Sequence, residues 1–222
     1  MRMNAEPEAA GPRVLLADAD APTRVGLRVA LTSAGFDVVA EVSDAAAAVA
    51  SAVELEPDAA LLAASLPGGG IGAARDIAAQ RPGVRTVVLS SDPSGDELLE
   101  AVMAGASGYL GRDVSPQRLP TALHGVLAGE VALPRRHTRH LLEALRGRTA
   151  RRAMLAARAS SDITDREWEV LDLLAGGAST AEIAHRLKIS TVTVRRHSAS
   201  VAAKLGLPDR SSVLALLERA RE

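Results

Sequence analysis

The chain of 222 residues contains no cysteine, and aromatic residues make up only 1% of it. The lack of cysteine excludes disulfides, thiolate catalysis and cysteine metal sites. With so few aromatic residues the core must be aliphatic, which the 47% hydrophobic content can supply. No uninterrupted apolar run approaches the ~20 residues of a membrane span, and the start MRMNAEPEAAGPR lacks the apolar stretch of a signal peptide. We therefore expect a soluble, cytoplasmic protein.

The formal net charge of −1 conceals an asymmetry between the two parts of the chain. Residues 1–130 carry 9 basic and 17 acidic side chains, whereas residues 131–222 carry 17 basic and 10 acidic ones. A length of 222 residues also suits two domains better than one. If the protein binds a polyanion, the basic part is where we expect it to bind.

In the acidic part, short apolar runs alternate with helical patterns. The runs are VLLAD at 14–18, DVVAEV at 37–42, DAALLAA at 58–64, VRTVVLS at 84–90 and SGYL at 107–110. Strands that are apolar on both faces and separated by helices predict a parallel α/β sheet. Ser94, followed by Glu97, predicts a capping box at the start of one helix.

Four segments of this region keep a fixed order and spacing: RVLLADAD at 13–20, PDAALLAASLPGGG at 57–70, VVLSSD at 87–92 and AGASGYLGRD at 104–113. They resemble the receiver domain of two-component response regulators of the NarL/LuxR type. The resemblance covers roughly residues 12–130 and implies a flavodoxin-like parallel sheet with strand order 2-1-3-4-5. It also implies a site at the carboxyl ends of the strands, where ligands of such folds bind.

In that family an aspartate at the end of the third strand accepts a phosphoryl group, and an acidic pair after the first strand helps to hold Mg²⁺. Here the acceptor position falls at Ala63, whose methyl group can neither attack a phosphoryl donor nor bind a metal. The acidic pair falls at Asp18 and Ala19, and Asp20 is a partial replacement for the missing carboxylate. The remaining pocket positions are Ser90 for the hydroxyl residue, Tyr109 for the switch aromatic and Arg112 in place of a lysine.

The loss of the acceptor predicts a receiver that acts without aspartyl phosphorylation, and no catalytic residue, metal or cofactor is expected. Asp58 lies roughly 17 Å away at the other end of the strand, at ~3.3 Å per residue, and Ser65 would need a different activation. The vacated pocket is read either as part of a scaffold or constitutive form, or as a site for a small-molecule ligand or partner regulator. In a further arrangement, Asp18 and Asp20 pair with Arg112 and no ligand is involved.

An arginine-rich segment, residues 134–162, joins the two parts and holds eight arginines and two acidic residues. Its apolar residues have helical spacing that Gly147 interrupts, which predicts one linker helix or a pair: Leu141, Leu142, Leu145, Met154 and Leu155. The basic run either touches DNA phosphates or forms a solvated face, as charge runs usually do. We expect a receiver-like domain at 12–130, a helical linker at 131–160 and a last domain at 161–222.

The last domain reads as four short helices. Thr164 with Glu167, and Ser179 with Glu182, predict two capping boxes. Ser190 is placed to cap a third helix over 191–205, and a last helix is expected at 210–220.

The third helix has a basic outer face. Core spacing of Val194, Val201 and Leu205 leaves the other face to Arg195, Arg196, Ala199 and Ser200. The planar fork of arginine matches O6 and N7 of guanine in the major groove, and small neighbours leave room to approach it. A plain helical bundle with a solvated arginine pair fits the same periodicity nearly as well.

The segments TDREWEVLDLLAGG, STAEIAHRLKIS, TVTVRRH and AAKLGLPDRS follow one another across residues 163–217. They resemble the LuxR-type helix-turn-helix domain, which implies a transcriptional regulator that binds double-stranded DNA. The resemblance implies that Arg195, Arg196 and Ala199 face bases. Flanking side chains are expected to face phosphates: Lys188, Thr191, Thr193, His197 and Lys204. The alternative is an adaptor that acts through receiver contacts and touches DNA little.

The last domain is nearly neutral, with 9 basic and 8 acidic residues from 163 to 222. A single copy should therefore bind DNA weakly, whereas two copies on a palindromic site gain from effective concentration. We expect a homodimer. Three residues of the last helix lie either at the dimer contact or in the core: Val213, Leu216 and Leu217.

Overall fold

The computed structural model describes residues 11–219, apart from residue 116 and the side chain of His140. The expectation that the chain does not begin with a signal peptide rests mostly on residues 1–10, which lie outside the described residues. Residues 220–222 lie outside them as well. The chain divides into two compact units, residues 1–141 and 142–222. The domain bounds expected from the sequence stay predictions. Within the described ranges, no helix combines the length and apolar character needed to cross a membrane.

The first unit is a five-stranded parallel sheet whose strands alternate with helices. Its strand order, β2-β1-β3-β4-β5, confirms the predicted receiver-like topology. The strands are β1 (Arg13–Ala17), β2 (Asp37–Val42), β3 (Ala59–Ala63), β4 (Arg85–Ser90) and β5 (Gly108–Gly111). The helices are α1 (Ala21–Ser33), α2 (Ala45–Leu55), α3 (Gly70–Gln80), α4 (Gly95–Met103) and α5 (Arg118–Leu127).

The register of the sheet brings the carboxyl ends of four strands to one edge. All five residues of β3 are buried, as are the last four of β1, which is expected of strands covered on both faces. The last paired residues at this edge are Ala17 with Leu62, Ala63 with Leu89, and Ser90 with Gly111. Side chains that end or directly follow these strands are therefore neighbours.

The second unit is built from helices. The long helix α6 (Arg135–Arg158) begins before the boundary at residue 141 and runs unbroken through Gly147, so the alternative of two linker helices is wrong. It is followed by α7 (Asp165–Ala175), α8 (Thr180–Arg186), α9 (Thr191–Lys204) and α10 (Arg210–Arg219). The capping boxes predicted at the starts of α7 and α8 are confirmed, and Ser190 caps α9.

An aliphatic core holds the second unit together, and α6 contributes Leu155 to it. Val213 and Leu217 of α10 are almost completely buried in this core, and Leu216 packs partly against it. The alternative in which Val213 and Leu217 form a dimer contact is therefore wrong. Their methyl groups are already enclosed by their own chain and offer no surface to a second copy.

Two glycines of the second unit should respond in opposite ways to the same substitution. A Cβ on Gly147 or on Gly177 would meet open space, but Gly177 has a φ of +82° whereas Gly147 lies within a helix. We predict that Gly147→Ala raises the free energy of unfolding by about 0.5–1 kcal/mol. Gly177→Ala should lower it by about 1–2 kcal/mol.

Urea unfolding of the full chain, followed by the fluorescence of Trp168, measures both changes, because this single tryptophan lies in α7. A loss of stability in Gly147→Ala would contradict the continuous helix.

Candidate functional site

Two places in the chain gather the residues that the sequence singled out. The first is the carboxyl edge of the sheet in the first unit, where Asp18 follows β1, Ala63 ends β3 and Ser90 ends β4. All three are buried, with exposed fractions of 1–2%. The backbone of α3 approaches closely at the same place, because a Cβ on Gly70 would lie 1.9 Å from the carbonyl oxygen of Ala63. The connection from β3 to α3 is therefore tightly packed, and position 70 has no room for a side chain.

A buried ion pair occupies this edge. The guanidinium of Arg112 donates through Nη2 to Oδ2 of Asp18, whose side chain is only 3% exposed. The second oxygen, Oδ1, accepts the backbone N–H of Asp20 at 2.9 Å. Arg112 is placed by its own N–H, which donates to the carbonyl of Ser90 at 2.7 Å. The pairing of Asp18 with Arg112, which the sequence left open, is therefore present.

Asp20 does not join this pair and does not stand in for a second pocket carboxylate. Its Oδ2 accepts the backbone N–H of Thr23 at 2.9 Å and the Thr23 hydroxyl at 2.5 Å, so it is the N-cap of α1. The Thr23 hydroxyl and N–H hold the pKa of Asp20 below its usual value. This corrects the expectation that Asp20 would replace the missing carboxylate. Within residues 11–219 as described, no three acidic or histidine side chains form a group that suits a metal ion.

Tyr109 lies inside the first unit rather than at its surface. Its side chain is 0% exposed, and its hydroxyl donates to Oε1 of Glu97 at 2.7 Å. Burial raises the pKa of Tyr109 to about 12, with a further rise from Glu97. This bond also corrects the predicted capping box of α4, because Ser94 caps the helix while Glu97 turns to Tyr109. The ring is thus anchored as a neutral hydrogen-bond donor.

Asp58 lies at the opposite end of β3, as its position in the sequence implied. Its Oδ2 accepts the backbone N–H of Arg13 at 2.7 Å, at the start of β1. Asp58 is therefore remote from Ala63 and holds two strand starts together.

The second place is the outer face of α9, which packs against α7 and α8. Val194, Val201 and Leu205 are buried, as their spacing predicted. Four side chains with exposed positions form the outer face: Val192, Arg195, Arg196 and Ala199. Arg195, Arg196 and Ala199 were expected on this face from the sequence, whereas Val192 was not.

The residues expected to face phosphates differ in how far their side chains are exposed. Lys188 and Thr191 are exposed, and His197 is half-buried. Thr193 is half-buried, and its hydroxyl is 2.9 Å from the hydroxyl of Ser190, so it takes part in the cap of α9. Lys188 has a φ of +52° in the turn before α9, a conformation that a lysine seldom adopts. Base and phosphate contacts of these residues stay predictions.

Lys204 and Ser200 are held by Glu167 instead of facing outward, which corrects the expectations for both residues. Lys204 donates through Nζ to Oε2 of Glu167 at 2.7 Å and to the carbonyl of Asp162 at 2.7 Å. The Ser200 hydroxyl donates to Oε1 of Glu167 at 2.6 Å. The same carboxylate accepts the backbone N–H of Thr164 at 2.8 Å, which completes the capping box of α7. Glu167 therefore fastens α9 to the start of α7.

The charge of Glu167 is strongly favoured in the folded state. Burial by itself would raise the pKa of this carboxyl, but the hydrogen bonds from Lys204, Ser200 and Thr164 outweigh it. Together they lower the pKa of Glu167 to about 2 from 4.5. The sequence showed Glu167 as a capping residue, but it gave no sign of partners 33 and 37 residues away.

Arginines of α6 also bind within the second unit. Arg148 contacts Oδ2 of Asp172 through Nε at 3.0 Å and Nη2 at 2.5 Å, and Arg152 reaches the same oxygen at 2.6 Å. The Arg152 guanidinium lies 5.1 Å from the centre of the half-buried Trp168 ring, a cation–π distance. Arg158 donates to the carbonyl of Leu205 at 3.2 Å. Part of the basic run therefore serves structure, which the sequence alone did not separate from the rest.

Comparison with known proteins matches both units. The family described as bacterial regulatory proteins, luxR family, matches residues 161–217, and the response regulator receiver domain matches residues 14–124. The chain is 35% identical over 177 residues to the DNA-binding transcriptional activator DevR/DosR of Mycobacterium tuberculosis, covering 79% of each protein. It is 32% identical to the nitrate/nitrite response regulator NarL of Escherichia coli, over 89% of this chain and 90% of that one. A solved LuxR-family response regulator from Aurantimonas has 32% identity and a TM-score of 0.56, over 60% of this chain and 96% of that one.

The depressed pKa of Glu167 predicts a pH dependence of the second unit. Because the folded pKa is about 2 and the usual value is 4.5, the stabilisation is complete above pH 4.5 and is lost as the pH falls towards 2. It amounts to about 3 kcal/mol at neutral pH. Glu167→Gln should remove most of it and flatten the dependence in that window.

Urea titrations of the full chain between pH 2 and 7, read by Trp168 fluorescence, measure this difference. Glu169→Gln is the matched control, because Glu169 is exposed on the same helix. An unchanged slope in Glu167→Gln would show that the carboxylate does not hold α9.

Proposed function

This chain belongs to the response regulators that carry a LuxR-family DNA-binding domain, and from that premise we propose that it controls transcription without aspartyl phosphorylation. It is a DNA-binding transcriptional response regulator of the NarL/LuxR family. The observation that supports control without aspartyl phosphorylation is the ion pair of Asp18 and Arg112 beside Ala63. Where the family places an acceptor, this chain has a methyl group and a neutralised carboxylate.

Chemistry supports the absence of phosphorylation. Ala63 has no nucleophile, and both oxygens of Asp18 accept hydrogen bonds within the protein. Mg²⁺ prefers one or two carboxylates with phosphate oxygens, and Arg112 already takes the carboxylate that this edge offers. Replacing that pairing would leave a charge buried without a partner, which is costly. We infer a receiver that stays in one arrangement, as a scaffold or constitutive form.

DNA reading is assigned to the outer face of α9. Arg195 and Arg196 are exposed on a helix whose opposite side is locked into the core and fastened by Glu167. Because α9 is held in place, less conformational entropy is lost when the two guanidinium groups bind the edges of nucleobases. Ala199 beside them leaves space for the groove floor.

We propose that the chain acts as a homodimer on two half-sites. The support is electrostatic, because residues 163–222 are almost neutral and two copies can share one palindromic site. Val213 and Leu217 are excluded from the contact by their burial. The stoichiometry of the DNA titration below tests this proposal, and one chain per operator would contradict it.

The double variant Arg195→Ala with Arg196→Ala should lose sequence-specific binding. Each good arginine–guanine pair contributes about 1–3 kcal/mol of discrimination, so the operator should lose at least about 2 kcal/mol. Titration of a selected operator with the full chain at fixed salt measures the loss. Arg219→Ala, which removes one exposed charge from α10, is the control. Unchanged operator affinity in the double variant would contradict base reading by Arg195 and Arg196, and failure to select any operator would favour the adaptor alternative.

Treatment with acetyl phosphate should leave the protein without acid-labile phosphate. The reason is that Ala63 offers no acceptor and the nearby carboxylates are engaged. Intact-mass measurement before and after acid treatment checks this, with Asp20→Ala and Asp58→Ala run in parallel. Labile phosphate on the wild-type chain that disappears in either variant would contradict the proposal and identify the acceptor.

A further inference from the structure

The most exposed of the large hydrophobic side chains in the described part of the chain is Val192, at 70%. It lies in the first turn of α9. It belongs neither to the core of the second unit nor to the half-buried residues that pack against that core. Its methyl groups therefore contribute nothing to the packing of this unit.

Helix formation does not explain the residue either. Valine is β-branched and lowers helix stability relative to alanine or a long polar residue. Single exposed apolar residues are common on protein surfaces, so exposure by itself assigns no role. The position of Val192 on α9 is what distinguishes it.

Val192 shares its face with the residues proposed to read DNA. At about 100° per residue, Val192, Arg195, Arg196 and Ala199 fall within an arc of about 100° around the helix. Along the axis, Val192 precedes Arg195 by three residues, about 4.5 Å at ~1.5 Å per residue. Base pairs of a duplex are ~3.4 Å apart, so the two side chains are separated by one or two base pairs. With α9 lying along the groove, Val192 would face a base pair next to those that the arginines contact.

We propose that Val192 is a specificity-determining residue that packs on the C5-methyl group of a thymine, one or two base pairs from a guanine bound by Arg195 or Arg196. The thymine methyl is the apolar feature of the major groove, and apolar side chains recognise it by contact. The stiff χ1 of valine means that little rotamer freedom is lost on contact. This inference rests on the proposed function, in which α9 enters the major groove.

Thymine-to-deoxyuridine substitution tests the contact, because it removes the methyl group and leaves base pairing unchanged. An operator is first obtained by in vitro selection with the full chain, and its thymines are then replaced one at a time. For the wild type, one replacement near the essential guanines should weaken binding about fourfold, the effect of one buried methyl group. Val192→Ala should bind the thymine operator about fourfold more weakly and lose nothing further with deoxyuridine.

Two further variants make the result interpretable. Val192→Thr keeps the shape and one methyl group, and it should retain part of the sensitivity to deoxyuridine. Val25→Ala removes an exposed valine from α1, where Val25 is 47% exposed, and it should behave as the wild type. Trp168 fluorescence checks the folding of the second unit, and circular dichroism checks the whole chain of each variant, before binding is measured.

The outcomes separate this inference from the proposed function. Equal deoxyuridine sensitivity in the wild type and Val192→Ala overturns the role of Val192. So does a selected operator with no thymine within two base pairs of the essential guanines. Both results leave sequence reading by Arg195 and Arg196 intact. Binding that ignores those arginines overturns the proposed function and this inference together.

Discussion

A carboxylate removed from water needs a cation and hydrogen-bond donors, and two buried carboxylates of this chain meet that requirement in the same way. Asp18 is 2% exposed and pairs with Arg112 in the first unit. Glu167 is 4% exposed and pairs with Lys204 in the second. Each pair withdraws a basic residue from the function that its sequence position suggested. The pair of Asp18 and Arg112 joins the segments that follow β1 and β5, and the pair of Glu167 and Lys204 joins α7 to α9.

The two ion pairs stabilise different parts of the protein. In the first, Arg112 pairs with Asp18 at the carboxyl edge of the sheet, beside Ala63. In the second, Glu167 uses Lys204 and Ser200 to hold α9 in place, which leaves Arg195 and Arg196 on the outer face. Both arrangements are in keeping with the proposal that DNA binding by this chain does not depend on aspartyl phosphorylation.

The positive charge of the second part is not all available to a polyanion. Arg148 and Arg152 share Asp172, and Arg158 donates to the backbone carbonyl of Leu205, the residue that caps the end of α9. In the sequence these arginines belong to one basic run, whereas in the structure they attach α6 to other parts of the second unit. The charge count over the whole segment therefore overstates the positive charge that is available to a polyanion.

The sequence by itself determined the features that short-range patterns encode. Short runs of apolar residues predicted the strands, period-3.6 patterns predicted the helices, and Ser179 and Ser190 predicted helix starts. The identity of Ala63 was likewise readable from the sequence, and the proposal that this receiver lacks a phosphoryl acceptor begins there. Tertiary structure alone decided which charges pair, because Asp18 and Arg112 are 94 residues apart and Glu167 and Lys204 are 37 apart. Tertiary structure also decided that Val213 and Leu217 are buried in the core and that Val192 is exposed. The apolar pattern of a short helix does not reveal which of its faces the neighbouring helices will cover.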